Sequence, residues 1–376
     1  MTAEQLISFA RGAPSLDILD VEGLKAAAVR AFDVDPEGVT AYGSSVGYLP
    51  LREWVAGKHG VRPSNVIITN GSLQADAFLF DQLVTPGDIV VVEGPTYDRT
   101  LLSLRARGAD VRQIPVLDDG LDVNALRALL ESGVRPKFVH IIPNFQNPSG
   151  VTLSLDKRRT LLDLAAEYQF MIFEDDPYMH IRFRGESLPS MLSLELEASA
   201  NRAADAPDTA GVVVHASSFT KTVCPGVRVG YLVGPEELIG SIAASATNLY
   251  ISPNMLAEAT VYQFCVSGSI EESIKTVCTA LAERARLLAE SLRRHLPEAS
   301  FREPDGGYFL WVELPTSVDV DRLLPAAAER GVAVVKGTDF LLDGGRNSLR
   351  LAYSAVTEDQ VDEGVRRLAE AVRAVS

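Results

Sequence analysis

Short apolar runs alternate with amphipathic segments between about residues 60 and 235 of the chain. The amphipathic segments have helical periodicity, for example at 73–83, 124–130 and 155–168. Alternation of strand and helix predicts an α/β fold with a mainly parallel sheet that is flanked by helices. The predicted strands are residues 66–69, 89–92, 111–115, 138–142, 171–173, 212–216 and 229–233.

The pattern changes after residue 268. Helical periodicity then continues from 270 to 296, which is long enough for a helix that bridges two domains. Further strand and helix segments are predicted at 308–313, 320–330, 332–335, 348–352 and 358–375. We interpret this part as a smaller α+β domain, because 376 residues are too many for one simple core. The predicted division is a large domain at 38–268 and a small domain formed by 1–37 and 269–376.

Composition narrows the classes of function. The chain has 35 Lys and Arg against 50 Asp and Glu, a formal net charge of −15, which argues against a nucleic-acid partner. No apolar run approaches membrane-spanning length, and the N-terminus does not resemble a secretory signal. Three cysteines without CxxC spacing suit a reducing cytoplasm, and five scattered histidines do not predict a metal site. The Ala-rich stretch 198–210 is predicted to be a surface loop.

Polar segments follow several predicted strands, where doubly wound sheets bind their ligands. The sequence TNGSLQ at 69–74 turns from a strand into a helix, and the free N–H groups of such a helix start suit an anion. Two other segments, PNFQNPSG at 143–150 and EDDPY at 174–178, also end strands. Each of these segments taken alone is an ordinary turn.

The segment 217–230, SSFTKTVCPGVRVG, is the most informative. A lone lysine in a loop is usually a surface charge. Lys221, however, follows an apolar strand, stands after the hydroxyls of Ser218 and Thr220, and is followed seven residues later by Arg228. This arrangement suits a phosphate dianion beside a reactive amine.

The segments together, in this order, resemble the fold-type I enzymes of pyridoxal 5′-phosphate (PLP) in the class I/II aminotransferase family. The resemblance covers about residues 9–353, and the PxFQNPxG and EDDPY motifs are most similar to the branch with α-aminoadipate and aromatic aminotransferases and the aminotransferase-like domain of MocR regulators. It implies an enzyme that moves the amino group of an L-amino acid to a 2-oxo acid through a Schiff base between PLP and Lys221.

The resemblance also implies roles for residues around the cofactor ring. Lys221 would carry the cofactor and shuttle the proton, and Asp175 would pair with the pyridine nitrogen. Tyr178 and Asn147 would hydrogen-bond the 3′ oxygen of the ring. Tyr97 would stack on the ring face.

The phosphate and the substrate are assigned by the same resemblance. Tyr42 would reach the phosphate from the neighbouring subunit, which implies a homodimer with a shared active site. Arg350, with Asn147, would bind the substrate α-carboxylate, and Gly12 belongs to a segment that covers the substrate. The remaining phosphate ligands would be Ser72, the Leu73 amide, Ser218, Thr220 and Arg228.

Two positions depart from the family pattern. Arg11 stands where close relatives usually carry Gly, and Lys336-Gly337 replaces a common Pro-Gly. Both are expected near the mouth of the site. Two added cations there would select an acidic side chain or would sit in solvent.

The sequence bears on three alternatives to an aminotransferase. Another PLP reaction on an amino acid, such as that of a lyase, cyclase or oxidative deaminase of specialised metabolism, would use the same residues. A regulator's effector domain would follow a DNA-binding winged helix, whereas few residues precede the matched region. A nicotinamide dehydrogenase would need GxGxxG after a strand, and that spacing does not occur. The amino donor and the 2-oxo acceptor are not predicted.

Overall fold

A computed structural model describes residues 6–200 and 211–376 of the chain. Within these residues the chain forms a large sheet between helices and a smaller C-terminal sheet with helices of its own. The strands are β1 (Ile7–Ser8), β2 (Val66–Thr69), β3 (Ile89–Gly94), β4 (Asp110–Leu117), β5 (Gly120–Leu121), β6 (Phe138–Ile141), β7 (Met171–Asp175), β8 (Val213–Ser218), β9 (Gly230–Val233), β10 (Ser300–Phe301), β11 (Phe309–Glu313), β12 (Val332–Ala333), β13 (Val335–Lys336) and β14 (Ser348–Ala352).

The helices connect and cover these strands. Many begin at a side chain that caps the first turn, as Asp20 does for the first helix and Asp122 for the sixth. They are α1 (Val21–Val34), α2 (Pro36–Thr40), α3 (Leu49–His59), α4 (Ser72–Leu83), α5 (Asp98–Ala106), α6 (Val123–Glu131), α7 (Leu155–Tyr168), α8 (Met191–Ala200), α9 (Glu236–Tyr250), α10 (Met255–Val266), α11 (Ser269–His295), α12 (Val320–Glu329) and α13 (Glu358–Val375).

The large sheet has eight strands in the order β2-β9-β8-β7-β6-β3-β4-β5. The five strands from β8 to β4 in this order are parallel to one another. Strands β9, β2 and β5 complete the two edges by antiparallel pairing. The predicted α/β fold with a mainly parallel sheet is therefore confirmed. The predicted strands in this sheet agree with the observed ones to within two residues at each end.

Alternating side chains divide the core of this sheet between its two faces. Phe138 and Phe173 point to the face that is covered by α4, α5 and α9. Their sequence neighbours Val139 and Ile172 point to the opposite face, under α7 and α10. Burial on both faces explains why these strands are continuous apolar runs rather than alternating ones.

The C-terminal part contains an antiparallel sheet in the order β10-β11-β14-β13 and a core shared with α11, α12 and α13. Helix α11 contacts both cores, through Ile270 at its start and Leu281 further along. The prediction of one strand at 332–335 was wrong. Strand β12 pairs in parallel with β1, and β13 pairs with β14, because the N-terminal segment supplies a second partner. The bounds of the two predicted domains stay a prediction.

Three further predictions concern the Ala-rich stretch, the helix that contains Pro325 and the membrane-spanning segments. Residues 198–200 of the predicted Ala-rich loop are instead the end of α8, whose helical turns continue through them, and residues 201–210 lie outside the described part of the chain. Helix α12 continues through Pro325, as the apolar periodicity at 320–330 predicted. Among the described helices, none combines the length and apolar character that a bilayer crossing requires.

Candidate active site

A cavity of about 490 Å³ opens at the carboxyl ends of β2, β7 and β8, where the loops after these strands meet the C-terminal sheet. Every predicted site residue except Tyr42 lines this cavity. The structure thus brings together residues that are up to 338 positions apart, from Gly12 to Arg350. The predicted residues in its wall are Gly12, Ser72, Leu73, Tyr97, Asn147, Asp175, Tyr178, Ser218, Thr220, Lys221, Arg228 and Arg350.

One end of the cavity is the start of α4. Gly71 precedes this helix with φ +80, a backbone conformation that favours glycine, and provides no side chain to cap the first amides. A Cβ at Gly71 would come within 2.3 Å of Arg228 Nη2, and one at Gly230 within 2.6 Å of the Ser72 nitrogen. The two glycines therefore allow a guanidinium and a helix N-terminus to meet, which forms an anion site.

Hydroxyl groups complete this end. The Ser218 hydroxyl donates to Thr220 Oγ1 at 2.8 Å and accepts from the Thr220 backbone N–H at 3.1 Å. Arg228 has φ 50 and donates to the Asn70 carbonyl at 3.3 Å, which holds its guanidinium over the start of α4. Backbone amides, hydroxyls and one cation thus converge on a space that suits a phosphate group.

Lys221 lies in the middle of the cavity. Its Nζ donates to the Gly12 carbonyl at 2.7 Å and lies 4.8 Å from the ring of Tyr308 and 5.5 Å from that of Tyr178. Burial, together with the charges of Arg350 and Arg228, lowers the pKa of Lys221 to about 7 although Asp175 opposes the shift. A lysine with this pKa is partly neutral at physiological pH and is able to act as a nucleophile and a base.

Asp175 ends β7 at the other side of the lysine. The residue is only 4% exposed, and its Oδ1 has no hydrogen-bond partner among the described residues. Its Oδ2 lies 3.7 Å from Nε2 of His140, which is fully buried. A buried acceptor without a partner is costly, and a protonated ring nitrogen would satisfy it.

Two tyrosines and an asparagine lie between these groups. Tyr97 precedes α5, and burial is the main cause that raises its pKa to about 12. Tyr178 is buried, and burial raises its pKa well above the ordinary value, with Tyr97 contributing further. Both phenols are therefore neutral hydrogen-bond donors. Asn147 Oδ1 accepts a hydrogen bond from Arg350 Nη1 at 3.0 Å.

Arg350 projects into the cavity from β14 and is only 7% exposed. Its guanidinium lies over the rings of Phe309 and Phe340, at 4.3 and 4.9 Å from their centroids, and its Nη2 donates to the Ala10 carbonyl at 2.9 Å. No carboxylate of the described residues lies within ion-pair distance of it, and its buried Nε has no partner among them. Such a guanidinium is prepared for an external carboxylate.

The remaining predicted positions lie outside the cavity wall. Tyr42 is 87% exposed on the surface of the chain. Arg11 is exposed beside the lining residue Gly12. Lys336 pairs with Asp321 at 3.0 Å, so its charge is already engaged.

Sequence reasoning missed three buried residues of this region, Asp76, His140 and Tyr308. All three stand within predominantly apolar segments. Their interactions with Asp175 or Lys221, which for Asp76 is the effect of the Asp175 charge, arise from packing between elements far apart in the chain. The predicted helix at 73–83 and strands at 138–142 and 308–313 contain them, so a polar residue at an inward position was the available signal.

The residues present fit PLP. The anion site suits its phosphate, the Lys221 amine lies where an aldehyde would reach it, and the unpartnered Asp175 oxygen suits a protonated ring nitrogen. The fit rests on donor and acceptor types that the cavity brings together at three points.

Comparisons with known proteins agree with this geometry. A family model described as "Aminotransferase class I and II" matches residues 4–368. The chain is 32% identical to a 2-aminoadipate transaminase of Thermus thermophilus, over 98% of this chain and 90% of that protein. It is 30% identical to an aromatic-amino-acid aminotransferase of Thermococcus litoralis, over 98% and 88%. The crystal structure of an α-aminoadipate aminotransferase from Thermus thermophilus, complexed with N-(5′-phosphopyridoxyl)-L-leucine, matches with a TM-score of 0.92 at 32% identity and covers 98% of this chain and 92% of that one.

Proposed function

This chain belongs to the class I and II aminotransferase family, and on that premise we propose which of its residues perform the reaction and in what assembly they do so. The protein is a PLP-dependent aminotransferase that moves the amino group of an amino acid to a 2-oxo acid. The observation that carries the assignment of residues is the single cavity whose wall contains the Lys221 amine, an anion site and the unpartnered Asp175 oxygen.

Lys221 attaches the cofactor and moves the proton. When bound, PLP supplies an aldehyde that condenses with amines and a pyridine ring that accepts electrons. The lowered pKa of Lys221, about 7, leaves a large share of its amine neutral near pH 7, as attachment requires. With PLP bound, the Lys221 amine would take the proton from the substrate α-carbon and hold it for return.

Asp175 holds a proton at the ring nitrogen, which makes the ring a better electron acceptor. Burial of its carboxylate with an unpartnered oxygen supports this role. Tyr178 and Asn147 hold the 3′ oxygen, and Tyr97 covers a ring face. The phosphate is held by Ser72, the Leu73 amide, Ser218, Thr220 and Arg228, which share one end of the cavity.

Arg350 binds the α-carboxylate of the amino acid and of the oxo acid. Its two Nη atoms are held by Asn147 and by Ala10, so the guanidinium plane is fixed before substrate arrives. The segment around Gly12 covers the substrate and excludes water from the reacting atoms. Its carbonyl already contacts the Lys221 amine in the structure.

We further propose a cytoplasmic homodimer in which Tyr42 of one subunit completes the phosphate site of the other. An 87% exposed tyrosine outside its own cavity supports a role across an interface, and three free cysteines suit a reducing compartment. Mixing Tyr42→Ala and Lys221→Ala proteins tests the shared site. Hybrid dimers would contain one intact site and regain activity, whereas independent sites would leave the mixture inactive.

The function itself is tested by half-reactions. Purified protein is incubated with PLP and then with single amino acids, with 2-aminoadipate, aromatic amino acids and kynurenine among them. We expect a visible band on loading, its conversion to the pyridoxamine phosphate spectrum, and reversal by a 2-oxo acid. Lys221→Ala is the control and is expected to show neither the band of the attached cofactor nor turnover. A wild-type protein that stays colourless and takes no borohydride label at Lys221 would refute the proposal.

A further inference from the structure

A second buried carboxyl group, that of Asp76, lies near Asp175. Asp76 is 2% exposed, and its Oδ1 has no hydrogen-bond partner among the described residues. None of the roles proposed above uses it. A buried polar group without a partner reduces stability, so a role in the site would explain its presence.

The helix and the sheet both direct polar groups into this region. Asp76 stands four residues after Ser72 on α4 and therefore lies on the same face of that helix, one turn beyond the start of the anion site. On the sheet, His140 comes two residues after Phe138, and Asp175 comes two residues after Phe173. Both phenylalanines pack beneath α4, α5 and α9. Strand alternation puts both side chains on that same face, where Nε2 of His140 and Oδ2 of Asp175 are 3.7 Å apart.

The surroundings of Asp76 favour its neutral form. Burial, and next the charge of Asp175, raise the pKa of Asp76 well above its ordinary value. Tyr97, whose pKa the Asp76 charge helps to raise, is neutral near pH 7. Asp76 has no cation in ion-pair contact among the described residues. These surroundings favour the protonated carboxyl, which is a hydrogen-bond donor.

We propose that Asp76 is a positioning residue that acts through Asp175 and donates toward its carboxylate. This inference rests on the proposed role of Asp175 as the partner of the cofactor ring nitrogen. A donor to a carboxylate weakens its attraction for a further proton. The proton shared between Asp175 and the ring then stays on the ring nitrogen, where the reaction needs it.

Two substitutions at Asp76 separate the donor from the volume. Asp76→Asn keeps the shape and has an N–H donor in place of the carboxyl O–H, whereas Asp76→Leu keeps the branched outline, is larger, and has no donor. Both holoproteins are loaded with PLP labelled with nitrogen-15 at the ring. We expect wild type and Asp76→Asn to give the chemical shift of a protonated ring nitrogen. For Asp76→Leu we expect a shift toward the unprotonated value at the same pH, because Asp175 without this donor attracts the shared proton more strongly.

A matched control removes a different polar atom that is also buried and without a partner among the described residues. Thr100→Val deletes a hydroxyl of α5 that has no partner among the described residues and no proposed role. Its nitrogen-15 shift is expected to stay at the wild-type value. A general perturbation of the core would instead move the nitrogen-15 shift in Thr100→Val as well, and would overturn the inference.

The cofactor-free protein gives an independent measurement. Burial also raises the pKa of Glu93 and of Glu258 to about 8, so the measurement is the difference between the infrared spectra of wild type and Asp76→Asn at pH 7. That difference is expected to contain the carboxylic-acid C=O band of one group. A difference spectrum without the band would show that Asp76 is ionised and overturn the inference. So would an Asp76→Asn holoprotein that changes as much as Asp76→Leu, or an Asp76→Leu holoprotein that does not change. Failure of the wild-type protein to load PLP would instead refute the proposed function, so the two failures are distinct.

Discussion

Replacing Lys221 with Met is expected to make the stability of the cofactor-free protein less dependent on pH. The pKa of Lys221 is lowered from 10.5 to about 7 in the folded chain, chiefly by burial. Below pH 7 both the folded and the unfolded chain carry the proton. The cost of burying the charge then lowers the free energy of unfolding by its full amount. As pH rises above 7 the folded chain loses this proton while the unfolded chain keeps it, so stability increases until about pH 10.5.

The size of this effect follows from the proton difference. One proton bound only by the unfolded chain changes the free energy of unfolding by about 1.4 kcal/mol for each pH step of one. Integration from pH 7 to pH 9 gives about 2 kcal/mol at most. Lys221 is half-buried rather than enclosed, and water in the cavity screens its charge, so we expect about 1–2 kcal/mol.

Urea unfolding of cofactor-free wild type, Lys221→Met and Lys25→Met at pH 7, 8 and 9 measures this difference. Lys25 is exposed on α1 and serves as the control for loss of a lysine. The free-energy difference between Lys221→Met and wild type is expected to shrink by about 1–2 kcal/mol between pH 7 and 9, while that of Lys25→Met stays constant. Parallel pH profiles for wild type and Lys221→Met would refute the lowered pKa and the account of the amine as a base near neutrality.

Three further substitutions test the groups around the lysine. Arg350→Ala is expected to raise the KM for amino acids about 100-fold, since it removes a bidentate contact to the carboxylate in ground and transition states, and an unchanged KM would contradict this. Asp175→Asn is expected to bind PLP but to lower kcat by at least about 100-fold, because the ring nitrogen loses its charged partner; wild-type kcat in single-turnover assays would count against it. Arg228→Gln is expected to raise the cofactor Kd by about 10- to 100-fold in fluorescence titrations, and an unaltered Kd would exclude a phosphate contact.

The sequence was sufficient to predict the parallel strands and the polar segments at their ends. The parallel strands are buried on both faces and therefore read as short apolar runs, as 138–142 and 171–173 do. The turn at Gly71 and the loop around Lys221 were recognisable because their residue types serve one chemistry at fixed spacing. The local sequence pattern therefore predicted the parts of the cavity that are formed within single loops.

Side chains whose role depends on tertiary packing could not be predicted from the sequence. Asp76 and His140 each interrupt an apolar pattern, but only the arrangement of α4 over β6 and β7 brings them near Asp175. The split between β12 and β13 was missed for the same reason, since the partner of β12 lies more than 300 residues earlier, at Ile7–Ser8. Periodicity shows which face of an element is buried and leaves open what that face meets.

The hydrogen bond from Lys221 to the Gly12 carbonyl sets up a competition. The amine that must react with an aldehyde is also the anchor for the segment that follows β1, which itself is tied to the C-terminal part through β12. Loading of the cofactor therefore has to break this hydrogen bond, because the aldehyde and the Gly12 carbonyl compete for the same nitrogen. A shortened chain without β1 would keep Gly12 but lose the pairing with β12 that holds its segment, and would be expected to react faster with aldehydes while retaining amino acids less well.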